Sequence, residues 1–183
     1  MQTKLRNMLV ILGIYLIAII FGVITFYQFQ NGSLIFRLLL ADVSATLIIW
    51  IFSLILKNAS LYDPYWSVIP PIILILTYFY LGNALSFSVF LMLLAVTLWA
   101  IRLTYNWASH WKDFDAQDWR YNEIRDKAPK LYFLSNLFGI QLFPTLIVFI
   151  QLIAATHFIA LNPSFNFIIL IGSLMMIIAA IIQ

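Results

Sequence analysis

The chain has 183 residues, 64% of them hydrophobic and 9% charged, with 10 Lys and Arg against 7 Asp and Glu. Soluble domains carry about 45–50% apolar and about 25% charged residues, so a water-exposed fold of this composition could not cover its apolar surface, and lipid is its natural solvent. The absence of cysteine excludes disulfides and thiolate metal sites, and a net charge of +3 gives no case for nucleic acid as a partner.

A membrane-spanning helix needs about 20 apolar residues. The first apolar run, from Met8 to about Tyr27, follows Lys4 and Arg6. It is too long for a signal-peptide core and no small-residue cleavage site follows it, so it reads as a retained first span. Five more runs follow, at roughly 34–56, 67–82, 86–108, 136–160 and 165–182. Open sheet edges cannot survive in lipid, so these runs predict helices. The expected fold is an all-α, polytopic transmembrane bundle of about six spans, forming one transmembrane domain over residues 1–183. The breakers fall between the runs: Asn31-Gly32-Ser33, Asp63-Pro64, Gly82-Asn83 and Asn162-Pro163-Ser164. Pro144 lies inside the fifth run, where it predicts a kink or a half-span. With the N-terminus cytoplasmic, nine of the ten basic residues fall on or near the cytoplasmic side and only Arg37 on the other, as the positive-inside rule requires.

Polar chemistry concentrates between Trp99 and Lys130. This segment holds four of the six tryptophans, six of the ten basic residues and five of the seven acids. Arg102, Asn106 and His110 recur every four residues and share a helical face. One reading is an interfacial belt of aromatic anchors and snorkelling arginine. The other is a binding surface. Asp118-Trp119-Arg120-Tyr121 can present a guanidinium, a carboxylate and two rings, which suit the phosphates, hydroxyls and ring of a nucleotide. A second polar spot, Tyr62-Asp63-Pro64-Tyr65-Trp66-Ser67, lies on the same expected side. Asp63 there could cap the third helix or serve a site shared with the first spot. Asp42 within the second span is a functional suspect by position, or a partner of Arg37. His157 reads as a hydrogen-bonding group between helices. The sequence has no metal-ligand spacing, no glycine-rich dinucleotide fingerprint and no P-loop.

Tyr62-Asp63-Pro64-Tyr65-Trp66-Ser67, followed by Arg102, Trp107, Trp111 and Asp118-Trp119-Arg120-Tyr121, resembles the DUF1295 group of steroid 5-alpha-reductase-like membrane proteins. The resemblance implies a multi-span enzyme that uses NADPH to reduce a carbon–carbon double bond conjugated to a carbonyl, in a lipid or steroid-like substrate. It implies that Asp118, Arg120 and Tyr121 bind the cofactor, with Arg102 and Asn106 lining the same cavity, and that Asp63 and Tyr65 supply the catalytic polar groups that polarise the carbonyl. Members of the group continue beyond a span like 165–182 into an Arg-His-Pro-Asn-Tyr-type motif that this sequence does not contain. The expectation is an incomplete cofactor site, to be completed by a further C-terminal segment or a partner chain. Alternatives are a relative of the isoprenylcysteine-type membrane methyltransferases, which use S-adenosylmethionine, and a non-catalytic membrane scaffold. On every reading the chain is an integral multi-pass protein in contact with membrane lipids, in a bacterial plasma membrane or the endoplasmic reticulum.

Overall fold

The computed structural model describes residues 2–182, with side chains from Lys4 onward. Among the described residues, seven α-helices of nine or more residues carry the fold: α1 (Gln2–Gln28), α2 (Leu34–Ile55), α3 (Tyr65–Leu81), α4 (Phe87–His110), α5 (Trp119–Lys127), α6 (Phe143–Leu161) and α7 (Phe167–Ile182). Among the described residues there is no strand. Each expected apolar run is helical. Among the described residues, five stretches are long and apolar enough to cross a membrane: Lys4–Gln28, Leu34–Ile55, Ala59–Leu81, Phe87–His110 and Pro129–Leu161. The sixth run became α7, an apolar helix of 16 residues, shorter than the about 20 residues that an untilted span needs. The chain is a multi-pass membrane protein.

The boundaries follow local chemistry. Ser33 caps α2 by accepting the N–H of Phe36 at 3.3 Å, leaving Asn31 and Gly32 in the turn before it. Gly82, at φ +66°, closes α3 in the left-handed region. Pro70 and Pro71 lie inside α3 and remove two donors from its ladder, which a helix packed among others tolerates. The fifth run departs most from expectation. Its helical path begins at Pro129, and over Ser135–Leu142 it is π-helical, just ahead of Pro144. Pro144 has no N–H to close an α turn onto Ile140, and the wider turns move the preceding carbonyls away from its ring.

The chain forms two compact units. The first comprises α1, α2, the connector to Trp66, and the chain from His110 to Ile147. Its centre is the close approach of α1 and α2. Ala18 and Gly22 on one helix, and Ala41 and Ala45 on the other, form two small-xxx-small pairs. Ala18 and Ala45 are buried, and a β-carbon at Gly22 would lie 3.1 Å from the carbonyl oxygen of Ala41. In lipid no hydrophobic force joins helices, so this backbone contact is what packing can use. At the far end of the pair, Arg37 is buried. It donates from Nε to the carbonyl of Phe26 at 3.0 Å and lies 4.0 Å over that residue's ring, which satisfies a cation that lipid would not solvate.

The second unit comprises Ser67–Ser109 and the chain from Val148 onward. Its interior is apolar, with Leu74, Val89, Ala95 and Ile159 buried. Ser67 and Thr104 share a hydroxyl bond of 3.0 Å between α3 and α4. Asn162 donates to the carbonyl of Ala84 at 3.0 Å, and Phe87 packs on Phe165 with ring centres 5.2 Å apart.

Gly22→Leu should therefore force α1 from α2 and destabilise the protein by about 1–3 kcal/mol. Gly13→Leu should change stability by less than about 0.5 kcal/mol, because nothing lies within 4 Å of a β-carbon there. Denaturant titration of both variants in detergent micelles measures the difference.

Candidate functional site

The polar groups of the first unit assemble around the connector that joins α2 to α3. Lys57 ends α2 in the left-handed region at φ 53°. The N–H of Asn58 bonds the carbonyl of Ser53 at 2.9 Å and that of Lys57 bonds Leu54 at 3.2 Å, a Schellman turn made without glycine. This turn delivers Asn58, which is buried, to the loop after Trp111. Its Nδ2 donates to the carbonyls of Phe114 at 2.7 Å and Ala116 at 3.0 Å, while its Oδ1 accepts the N–H of Ser60 at 2.9 Å. Gln117 Oε1 accepts the N–H of Ala59 at 2.6 Å, and Ser60 Oγ accepts the N–H of Asp118 at 3.0 Å. Both segments would otherwise hold unpaired backbone groups. Each satisfies the other, and the loop is fixed over the connector.

Below the connector lies a buried hydroxyl network. Tyr65 is 1% exposed and Asp42 4%. The Tyr65 hydroxyl donates to Asp42 Oδ1 at 3.2 Å, with the backbone carbonyl of Asp42 at 3.4 Å. Thr46 Oγ1 donates to that same carbonyl at 2.9 Å. Its single proton is spent there, so in the 3.1 Å contact between Thr46 and Thr145 it is Thr145 that donates. By the same count Tyr62 donates to Thr145 at 2.8 Å. The chain of bonds runs one way, from Tyr62 through Thr145 and Thr46 to α2. Tyr15 donates to the carbonyl of Leu61 at 2.7 Å, with its ring edge-on to that of Tyr65 at 5.8 Å. Tyr62 and Tyr65 pack with ring centres 5.5 Å apart.

Above the connector, Asp63 and the residues of α5 form the wetter part of the site. The Tyr121 hydroxyl donates to Asp63 Oδ1 at 2.7 Å. Burial, reinforced by the adjacent Asp63 charge, pushes the Tyr121 phenol up from its ordinary range, so it stays a donor at neutral pH. Asp118 caps α5, accepting the N–H of Arg120 at 2.9 Å. Its two oxygens also take Arg120 Nε at 2.9 Å and Nη2 at 2.7 Å, a bidentate pair. The Arg120 side chain holds the Asp118 carboxyl below the usual carboxylate range, and the pair pushes the guanidinium up in return. Arg120 and the ring of Trp119 are exposed.

Five of the residues singled out in the sequence, Asp63, Tyr65, Asp118, Arg120 and Tyr121, therefore lie in this unit. Asp63 meets Tyr121, and Asp118 meets Arg120, whereas Tyr65 is bonded to Asp42. Arg102 and Asn106 lie on an exposed stretch of α4 within the second unit. The sequence did not single out Tyr15, Thr46, Asn58 or Thr145. A threonine in an apolar run carries no local signal of its partner, and Thr145 is 83 residues from Tyr62. Among the described residues, no group of three or more His, Asp or Glu side chains could hold a metal ion.

The family described as "Protein of unknown function (DUF1295)" matches residues 49–183, most of the chain. The chain belongs to the DUF1295 family. An uncharacterized protein of Schizosaccharomyces pombe (strain 972 / ATCC 24843), C594.04c, is 30% identical over 139 residues. That stretch covers 74% of this chain, and the chain spans 40% of the relative's length. No solved structure matches. The DUF1295 match encloses the connector, the pinned loop, Tyr62, Tyr65, Tyr121 and Thr145, whereas Asp42, Thr46 and Tyr15 precede it.

In this DUF1295 chain, Asn58→Ala removes two of the four bonds that hold the loop over the connector. Tryptic cleavage after Arg120, Arg125 and Lys127 should accelerate about tenfold, and about threefold in Tyr121→Phe, with helical content unchanged. Timed digestion read by mass spectrometry checks both values.

Proposed function

We propose that this DUF1295 protein is an NADPH-dependent membrane reductase that acts on the carbon–carbon double bond of a lipid or steroid-like enone. The observation that carries the reading is the Tyr65–Asp42 pair, a phenol bonded to a carboxyl within an apolar helical interior. Reduction of an enone builds negative charge on the carbonyl oxygen, and a preset donor shielded from water stabilises that charge far better than solvent does. Tyr65 supplies the donor. Asp42 orients it and, in its acid form, can donate to the phenol oxygen while the phenol donates onward to the substrate. The Tyr62–Thr145–Thr46 chain anchors the backbone carbonyl of Asp42, which keeps the carboxyl in place.

The exposed groups of α5 fit a dinucleotide phosphate. Arg120 keeps its Nη1 edge outside the bidentate bonds to Asp118, and a fixed guanidinium suits a phosphate. The open ring of Trp119 offers a stacking face. On this reading Asp118 is a positioning residue for Arg120, and Asp63 is one for Tyr121. Arg102 and Asn106 remain candidates for the same cofactor by resemblance. The cofactor, when bound, would supply the hydride for the β-carbon, and a proton taken up from water at the α-carbon would complete the reduction.

The test is a fluorescence titration of NADPH into protein in lipid nanodiscs, followed by product analysis with a steroid-like enone. Arg120→Ala should weaken NADPH binding about tenfold. Tyr65→Phe should leave binding within about twofold and lower turnover by about 10²–10³. Absence of both binding and turnover, in the wild-type protein alone and together with a C-terminal segment or partner chain that completes the cofactor site, would overturn the reading, and binding of S-adenosylmethionine in place of NADPH would point to methyl transfer.

A further inference from the structure

The helical path that carries Thr145 into the network passes through the π-helical stretch Ser135–Leu142, where the N–H of Phe143 bonds the carbonyl of Phe138, five residues back. Each such turn takes about one residue more than an α turn, and runs of them are rare unless something holds them. Pro144 explains why the α ladder is interrupted, but it does not select the π register. Three buried side chains do. Gln141 Nε2 donates to Ser53 Oγ at 3.0 Å and to Asn136 Oδ1 at 2.9 Å. Asn136 Nδ2 donates to the same Ser53 Oγ at 2.9 Å, and Ser53 passes its own proton to the carbonyl of Trp50 at 2.7 Å.

Asn136 and Gln141 are five residues apart. In the π register that spacing is close to a full turn, so both side chains face α2. In an α-helix, at about 100° per residue, they would diverge by about 140° and could not both reach one serine. The bond between them is specific to the register. Among the described residues Gln141 Oε1 has no partner, and a buried acceptor left bare is unfavourable. The two donated bonds account for the presence of glutamine at this position.

We infer that Ser53, Asn136 and Gln141 form a clamp that holds the π register and so aims Thr145 at Thr46 and Tyr62. Without the clamp, the segment relaxes toward α geometry, and the chain beyond it rotates by about one residue, or about 100°. Thr145 then leaves its partners. The three clamp residues are positioning residues, and the inference holds whatever reaction the protein performs.

The absence of cysteine from the sequence allows a direct test by crosslinking. Thr46→Cys with Thr145→Cys replaces two oxygens that lie 3.1 Å apart, and mild oxidation of that protein should give a disulfide in high yield. Adding Gln141→Met, which keeps the side-chain length and removes both donors, should cut the yield roughly tenfold, the shift expected from two lost buried hydrogen bonds. Deleting Gly139 as well removes the extra residue, and because a β-carbon there would meet nothing within 4 Å, the yield should return to within about twofold. Unchanged yield in Gln141→Met, with helical content and elution preserved, would overturn the inference, as would no disulfide in the starting pair. If Gln141→Met does not fold, Ser53→Ala is read instead. It keeps the Gln141–Asn136 bond and should lower the yield about threefold, and no change there overturns the clamp.

Discussion

An aspartate inside an apolar helix cannot be left to lipid, because an unanswered carboxyl there costs more than any single packing contact returns. The first unit is organised around answering Asp42. Tyr65 bonds its carboxyl and Thr46 bonds its backbone carbonyl. Thr145 and Tyr62 then extend the same run of hydroxyl donors, each proton used once. The network is closed enough to be buried and short of groups that would draw in water. Interiors of this kind are unforgiving, since a partly satisfied polar cluster is worse than none. The π-helical stretch fits the same constraint: it departs from α geometry where Asn136 and Gln141 meet a serine on α2.

The connector is the second element that the site depends on. It ends α2 with a left-handed lysine, exposes Asn58 to the loop, and sends Tyr62, Asp63 and Tyr65 in different directions over four residues. Tyr65 goes down to the buried carboxyl, and Asp63 goes to Tyr121 near the exposed Asp118–Arg120 pair. A deep, dry donor and an outer charged surface thus meet at one short turn, the division that the proposed reductase would require.

Much of this was legible in the sequence, and the reasons for the rest are physical. Apolar run length located the six apolar helical stretches, because lipid leaves a buried backbone few alternatives, but not α5, a polar helix of nine residues. The Asp-Pro and Asp-Trp-Arg motifs located the two polar segments, because such residues are expensive near a membrane and stand out. Pairing was not legible. Asp63 and Tyr65 are two residues apart and were expected to act together, yet the turn at Pro64 sends them to Tyr121 and Asp42. Asp42 was visible as an intramembrane acid, but its partner lies 23 residues away. Thr145 and Gln141 gave no signal, since a single threonine or glutamine in a long apolar run is common and its role depends on helical register. Pro144 marked the irregular place in the fifth run, but its form, a widened helix, depends on the side chains of α2.

Asp42 and Tyr65 act as one unit, and the surrounding hydroxyl network holds that unit in place. A double-mutant cycle tests this most directly, with Asp42→Leu, which removes the acceptor, Tyr65→Phe, which removes the donor, and the combined variant unfolded by denaturant in the same detergent. A coupling of about 0.5–2 kcal/mol between the two changes is expected, the double variant losing less than the sum of the singles. Additive losses, equal within about 0.3 kcal/mol to that sum, would contradict it.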